Sequence, residues 1–360
     1  MKLELLTGST HFWNRLKPEI ETAKKRVYIQ TLSCEGDAVG WDMARTMMAS
    51  AATDKRIVID HYTSHIINDR FIYMPGNIFD KELQAEVAST RKMVTELKGN
   101  GVAVTFVNPF GWLYCHIPRR NHKKIIVVDD DICYIGGINF SDHNFAWHDL
   151  MMRIENPQAT EFLANDFLTS CEQKHFGGEL QLDSVRLISF DGKNNPESFK
   201  PVVDLLQSAR ESIVVFSPYL SPPFTDFLGA ASRRGVNVAI VSPGNNNKIQ
   251  LKEYIQWAAQ RFGFNLRLYR GEMSHLKAIL VDKAHLILGS SNFDYFSYHF
   301  EQETIAIITD PDFIAGFQHA VIDVDVENCR PHTGGISRFR GNWRAFQINA
   351  VSKLMRLFNR

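Results

Sequence analysis

The sequence predicts a two-domain α/β protein in which each half is a version of the same unit, a mixed, mostly parallel sheet flanked by helices. Three observations lead there. First, a block occurs twice: residues 121–140, NHKKIIVVDDDICYIGGINF, and 274–293, SHLKAILVDKAHLILGSSNF, match at a constant offset of 153 residues. His122, Lys124, Asp129, Gly136 and Asn139 are answered by His275, Lys277, Asp282, Gly289 and Asn292. Second, short apolar runs alternate with helical patterns ahead of each copy, the signature of βαβ units. Third, 360 residues, 44% of them hydrophobic and 22% charged, are enough for two ordinary cores and exclude fibrous and disordered classes.

The elements follow in parallel through the halves. AKKRVYIQT (23–31) and ARESIVVFS (209–217) each run from a basic helix end into a strand. A helix and a second strand come next, RIVID (56–60) and NVAIVS (237–242), then a third strand, VAVTFV (102–107) and NLRLY (265–269). Inside the repeated block IIVV and AILV read as strands that turn back into CYIGG and LILGS, making a hairpin. The expected domains are 1–157 and 183–325, with a helical connector at 158–182 and a basic amphipathic tail at 326–360. The first half alone carries a polar helical stretch, DKELQAEVASTRKMVTELKGNG, and the loop NPFGWLYCHIPRRN ahead of its block. Loops of that length beside a site often carry function.

Forty basic residues balance forty acidic ones, so no overall charge draws the chain to nucleic acid. Five scattered cysteines without a CxxC spacing argue against a disulfide scaffold or a structural zinc site. The N-terminus lacks the apolar run of a signal peptide, and no stretch approaches the ~18 apolar residues of a membrane span. The expectation is a cytoplasmic protein that associates with membranes at most peripherally.

The repeated residues carry chemistry. Period-2 alternation places His122 with Lys124, and His275 with Lys277, on one face, while Asp129 and Asp282 have the opposite parity and are expected to support the site. Two imidazoles, two ammonium groups and the amides of Asn139 and Asn292 suit a phosphate ester: cations and amides clamp its oxygens. One imidazole can attack phosphorus while the other protonates the leaving oxygen, with the roles reversing when the acceptor arrives. No metal or other cofactor is called for, and two lysines beside the histidines would repel a cation. One HxKxxxxD arises by chance in about one such chain in thirty; two, each followed by G[GS]xN at the same offset, do not.

HxKxxxxD followed by GGxN or GSxN, twice in a duplicated α/β chain, resembles the phospholipase D superfamily over roughly residues 8–325. GGINF with WHDLMMRIENP downstream, SPYLSPP at 217–223, and GSSNFDYFS with Glu303 beyond it are most similar to the bacterial cardiolipin synthase branch. The arginine usual in that branch between Asp294 and Ser297 is Phe296 here. The resemblance implies two phospholipase D-type domains in pseudo-twofold arrangement with a shared active site at their interface. It implies His122, Lys124, Asp129, His275, Lys277 and Asp282 as the catalytic motif residues, with His122 forming a phosphohistidine and His275 acting as general acid. Asn139 and Asn292 are the expected phosphate-binding amides.

Asp149, 27 residues after His122, and Glu303, 28 after His275, are candidate carboxylates for orienting an imidazole through its second nitrogen. Phe110, Trp112 and Tyr114 are candidates for an acyl groove, although core packing is the commoner fate of aromatics. Residues 330–360 hold Arg330, Arg338, Arg340, Arg344, Lys353, Arg356 and Arg360 and no acidic residue. Trp343, Phe346, Ala350, Leu354, Leu357 and Phe358 recur there at helical spacing, a pattern that suits an anionic membrane surface.

The expected activity is phosphatidyl transfer through a phosphohistidine to a phospholipid or alcohol hydroxyl. The expected partners are an anionic phospholipid such as phosphatidylglycerol and, through the tail, the membrane surface. Hydrolytic phospholipase D and a nuclease of the same superfamily are the rival enzymes, and a silent lipid-binding module the rival without catalysis. Nucleic acid is not an expected partner, because the main body offers little phosphate-tracking charge.

Overall fold

A computed structural model describes residues 1–332 and 334–358, with the side chains of 356–358 outside that description. The tail positions Arg356, Leu357, Phe358 and Arg360 singled out above therefore lie outside the described residues or side chains. The chain divides into two compact units, Met1–Gly177 with Gln302–Thr304, and Gly178–Glu301 with Ile305–Arg360.

The first unit is built on a seven-stranded sheet. Its strands are β1 (Lys2–Thr7), β2 (Arg26–Thr31), β3 (Asp54–Asp60), β6 (Ala103–Val107), β7 (Ile125–Val128), β8 (Ile132–Gly136) and β9 (Leu150–Glu155), in the order β1-β9-β8-β7-β2-β3-β6. A small hairpin, β4 (Ile66–Ile67) and β5 (Arg70–Phe71), stands apart from it. All four residues of β7 are buried, as expected of an inner strand covered on both faces.

Helices supply the cover. Ser9–Thr22 presents Phe12, Leu16 and Ile20, four residues apart, to the core. Lys81–Gly99, the predicted polar stretch, is capped by Asp80, whose carboxylate accepts from Leu83 N at 3.1 Å, and buries Leu83, Val87, Met93 and Leu97. Pro157–Cys171 starts with proline in its first turn and an Asn156 cap, and packs on β7, β8 and β9. Its Phe167 stacks on Tyr28 of β2 with ring centroids 4.7 Å apart.

The second unit carries nine strands: β10 (Gly178–Gln181), β11 (Val185–Ser189), β12 (Ser212–Phe216), β13 (Asn237–Pro243), β14 (Asn265–Tyr269), β15 (Ala278–Val281), β16 (His285–Gly289), β17 (Thr304–Ile308) and β18 (Cys329–Pro331). Their order is β10-β11-β17-β16-β15-β12-β13-β14-β18. The run β17-β16-β15-β12-β13-β14 repeats β9-β8-β7-β2-β3-β6 of the first unit, so the duplication read from the sequence is a duplication of sheet topology.

Both sheets are mixed, but the balance of pairing departs from the mostly parallel expectation. The strands β2–β3–β6 and β12–β13–β14 pair parallel. The strands of each repeated block pair antiparallel with each other and with the neighbouring strand β2 or β12. The cause is connection length, since residues 129–131 and 282–284 can only return the chain as a hairpin, whereas a parallel neighbour needs a crossover helix.

The tail is anchored. β18 pairs antiparallel with β14, and the helix Arg338–Phe358 packs on the helix Ile249–Phe262, burying Ala345 in the core of the second unit. Arg340 and Arg344 bind the buried carboxylate of Glu253, the latter at 2.6 Å. Burial works to raise the Glu253 pKa, but the two guanidinium groups outweigh it and hold the carboxyl below its ordinary value. Phe339, Trp343, Phe346, Val351 and Leu354 remain exposed. Among the described residues no helix is long and apolar enough to cross a membrane.

Candidate active site

Each histidine sits just ahead of an inner strand, where the chain straightens to enter the sheet. In the first unit that entry is held by a segment from far along the chain. Asn121 bridges Gln302, His122 N donates to Gln302 O at 2.9 Å, and Gln302 N donates to Arg120 O at 2.9 Å. The next residue of that segment, Glu303, is fully buried and places both carboxylate oxygens 3.1 Å from Nδ1 of His122. A carboxylate there accepts the Nδ1 proton and leaves the lone pair of a neutral ring on Nε2. Glu303, which follows the second block in sequence, thus lies against the histidine of the first.

Behind His122 stands a buried polar frame. Asp60, the last residue of β3, accepts from Arg120 Nη1 at 2.7 Å and from Asn121 N at 2.6 Å, while Gln30 of β2 donates to Asn121 Oδ1 at 2.8 Å. Burial pushes the Asp60 carboxyl up to about 6 even with Arg120 beside it. Lys123 points away from its neighbours and binds Asp166 of the helix Pro157–Cys171 at 2.7 and 2.8 Å, both side chains completely buried. Leu276 occupies the same place in the second block and is buried without a charge. None of these supporting residues stood out in the sequence, though one signal was there: a lysine on the inward parity of a buried strand entry must find a counter-charge.

The lysines of the two motifs are tied to their own histidines. Lys124 Nζ donates to His122 O at 2.8 Å. Lys277 Nζ donates to His275 O and lies 2.7 Å from His275 Nδ1. An ammonium group has only protons to give, so His275 Nδ1 is the acceptor and its ring proton resides on Nε2. Asn139 is buried; its Oδ1 accepts from Thr31 Oγ1 at 3.1 Å and its Nδ2 donates to Asn144. Asn292 is also buried, and its Oδ1 has no partner among the described residues.

Asp149 is buried at the start of β9, where its Oδ1 accepts from Leu150 N at 2.8 Å. Gly137 lies so close that a Cβ there would stand 2.3 Å from that oxygen, which is why the GGINF block needs its second glycine.

Asp129 and Asp282 lie at the far ends of their strands. Asp129 accepts from the backbone N–H groups of Lys24, Lys25 and Arg26, and Asp282 from those of Arg210, Glu211 and Ser212, so each ties its hairpin turn to the entry of the neighbouring strand. They touch backbone and not the histidines. Burial acts to raise the Asp282 pKa, but the three N–H groups outweigh it and hold the carboxyl below its ordinary range. Asp282→Ala is therefore expected to cost about 1–2 kcal/mol of stability at neutral pH while leaving turnover per folded molecule unchanged. The depressed pKa makes this contribution present above the unfolded value and lost as pH falls through the folded one, so wild type and variant should converge in acid urea titrations.

A second carboxylate group joins the loop after β2 to the helix Lys81–Gly99. Glu35, Asp37 and Glu86 each bring an oxygen within 4.8 Å of the others. Burial pushes the Glu35 carboxyl up to about 9, and a proton shared with Glu86 accounts for their approach. The folded state then holds a proton that the unfolded chain releases above its ordinary 4.5, so stability falls as pH rises from there towards 9. Glu35→Gln should flatten that slope; equal thermal midpoint shifts in wild type and variant between about pH 6 and about pH 8 would refute it.

Phe110 is buried, whereas Trp112 and Tyr114 of the same loop are exposed, so the aromatic loop divides between core and solvent.

With this geometry, comparison with known proteins is informative. The family model described as cardiolipin synthase, PLD-like domain matches residues 16–170 and 202–321. Cardiolipin synthase 1 of Bacillus anthracis is 22% identical over 383 residues, covering 97% of this chain and 69% of its own length. Cardiolipin synthase A of Yersinia pseudotuberculosis is 24% identical over 376 residues, covering 92% and 72%. Among solved structures, phosphatidylserine synthase of Haemophilus influenzae Rd KW20 superposes with a TM-score of 0.72 at 15% identity, over 98% of this chain and 94% of that one. Polyphosphate kinase of Porphyromonas gingivalis does so with a TM-score of 0.61 at 8% identity, over 98% and 53%. At those identities the structural likenesses establish the fold alone. The family match spans most of the chain and includes both histidine blocks, and the chain belongs to the cardiolipin synthase, PLD-like domain family of phospholipase D-type enzymes.

Proposed function

We propose that the protein is a phosphatidyltransferase that carries a phosphatidyl group from one phospholipid, by way of a phosphohistidine, to the hydroxyl of a second phospholipid or an alcohol. The observation that carries the reading is the opposite anchoring of the two imidazoles: His122 gives its Nδ1 proton to Glu303, and His275 accepts at Nδ1 from Lys277. The first ring is thereby prepared as a nucleophile at Nε2 and the second as an acid at Nε2.

In the first step Nε2 of His122 attacks phosphorus and the bond to the leaving headgroup oxygen breaks, that oxygen taking the Nε2 proton of His275 while the Lys277 ammonium passes a proton to Nδ1, so that the ring stays neutral. In the second, the acceptor hydroxyl returns a proton to Nε2 of His275 and Nδ1 returns one to Lys277, as the acceptor oxygen attacks phosphorus and the P–N bond breaks. Protons and charge balance without a cofactor. Lys124, Lys277, Asn139 and Asn292 are assigned to the phosphoryl oxygens, where charge-assisted bonds strengthen in the transition state. The scheme requires both imidazoles to reach one phosphorus.

Incubation with phosphatidylglycerol vesicles, with and without ethanol, followed by mass spectrometry of the lipids, tests it. Diphosphatidylglycerol, and phosphatidylethanol when ethanol is added, are the expected products. Phosphatidic acid alone would replace transfer with hydrolysis, and cleavage of DNA with the lipids unchanged would end the lipid reading.

The tail helix is the proposed contact with anionic membrane, through Phe339, Trp343, Phe346 and Leu354 and not through Arg340 or Arg344, which serve Glu253. Phe339→Ser with Trp343→Ser should weaken sedimentation with anionic vesicles without changing the unfolding midpoint. Arg344→Ala should lower the midpoint, because it withdraws a counter-charge from a buried carboxylate. Unchanged sedimentation of the double variant would leave the helix a purely structural one.

A further inference from the structure

The insertion of the first unit carries an apolar surface that neither the sheet nor the proposed chemistry uses. Two loops build it. From the segment after the β4–β5 hairpin come Tyr73, Met74, Ile78 and Phe79; from the loop before His122 come Trp112 and Leu113. Phe79, Trp112 and Leu113 are 84%, 83% and 74% exposed, far more than large apolar side chains need to be on a surface with core available beneath it. Leu113 and Tyr114 moreover hold left-handed backbone, φ 50° and 60°, a conformation that is strained for residues with a Cβ. That strain is spent turning an aliphatic side chain outward.

The two loops form one body beneath these tips. His65 stacks on Phe110 at 4.3 Å, and Phe71 meets Tyr114 edge-on at 5.5 Å. The body is bolted to the catalytic strand by Arg120, whose guanidinium lies 4.4 Å over the Phe110 ring and donates to the main-chain oxygens of Asn108, His116 and Ile117. The same arginine binds Asp60, which also holds Asn121 N next to His122. Exposed tips and nucleophile thus share a rigid mount.

The chemistry of the surface selects its occupant. Phenol-bearing Tyr73 and Tyr114, half out of the surface, stand at the root of purely apolar tips, the layering that aromatic residues adopt at a headgroup boundary. No carboxylate occurs between Glu96 and Asp129, where Lys98 is exposed and Arg119 half-buried, whereas Arg120, Lys123 and Lys124 are buried and serve internal partners. Beside Tyr73 the insertion also carries a half-open pocket of about 380 Å³ lined by apolar Ile67, Ile72, Val87 and Val94 and by polar Thr90 and Arg91.

We propose that this aromatic apron seats the first unit in the hydrocarbon boundary of a phospholipid surface, so that a lipid passes to His122 without leaving the bilayer. The inference rests on the reading that the substrate is a phospholipid. Its test compares wild type, Phe79→Ser/Trp112→Ser, and the conservative Phe79→Tyr/Trp112→Phe, each in the full chain. The readouts are sedimentation with phosphatidylglycerol vesicles, turnover of that vesicular lipid, and turnover of a short-chain phosphatidylglycerol dissolved as monomers.

The serine pair should lose about tenfold or more of vesicle binding and of vesicular turnover, keep turnover of the monomeric lipid, and be rescued by the conservative pair. Wild-type vesicle binding and turnover that the serine pair leaves unchanged would overturn the apron. So would an equal loss on vesicular and monomeric lipid, or a change from dimer to monomer in light scattering with vesicle binding intact, which would make a second copy the occupant. If wild type turns over neither lipid, the proposed function fails, and the apron stands or falls on vesicle binding alone.

Discussion

His122→Ala should lower phosphatidyl transfer by a factor on the order of 10⁴ or more, and no other residue should take over the attack. The distinction from His275→Ala lies in the leaving group. With a phosphatidyl ester of p-nitrophenol the departing oxygen needs no proton, so His275→Ala should still release a burst of p-nitrophenol and accumulate phosphoenzyme. His122→Ala should show no burst. Glu303→Gln keeps the shape of the Nδ1 partner but offers an amide, which no longer dictates where the ring proton lies, and a loss of about 10²–10⁴ in turnover is expected. A burst from His122→Ala that is absent in His275→Ala would exchange the roles of the two histidines.

Asp166→Asn should destabilise the first unit by about 3–5 kcal/mol, the largest stability effect expected of any single change here. Lys123 and Asp166 are both completely buried, and the change withdraws the counter-charge from an ammonium group that also donates to the main-chain oxygen of Phe176 at 3.1 Å. Taking out both charges should be mild. Leu276 fills the same place in the second block without a charge, so Lys123→Leu/Asp166→Leu is expected to recover most of the loss in urea unfolding. If Asp166→Asn proves neutral, the pair does not carry its charges in the folded state.

The frame around His122 explains why the two halves differ although their sheets agree. In the second block Lys277 engages both the main-chain oxygen and Nδ1 of His275. In the first, Lys124 takes the main-chain oxygen, Glu303 takes Nδ1, and the Asp60–Arg120–Asn121 group holds the backbone. A duplicated strand entry has been furnished with different partners, which is what the two protonation roles proposed for the histidines would demand.

The amino-acid sequence by itself determined the duplication, the strands and hairpin of each block, the helical character of 80–101 and of the connector, and the recurrence of a His and a Lys, His122 with Lys124 and His275 with Lys277, at the two strand entries. All of these rest on local periodicity or on a repeat, and both are written in consecutive residues. The tertiary structure alone decided that Glu303 meets His122, that Asp60 and Asp166 answer Arg120 and Lys123, that antiparallel pairs outnumber parallel ones, and that the tail helix spends two of its arginines on Glu253. Each of the side-chain pairings among these joins groups 43 to 181 residues apart. Spacing along the chain misled most where the fold crosses over, because Glu303 stands 28 residues after one histidine and reaches the other. A buried charge requires a counter-charge, but composition says only that one must exist; which carboxylate supplies it is settled by how the strands and helices pack.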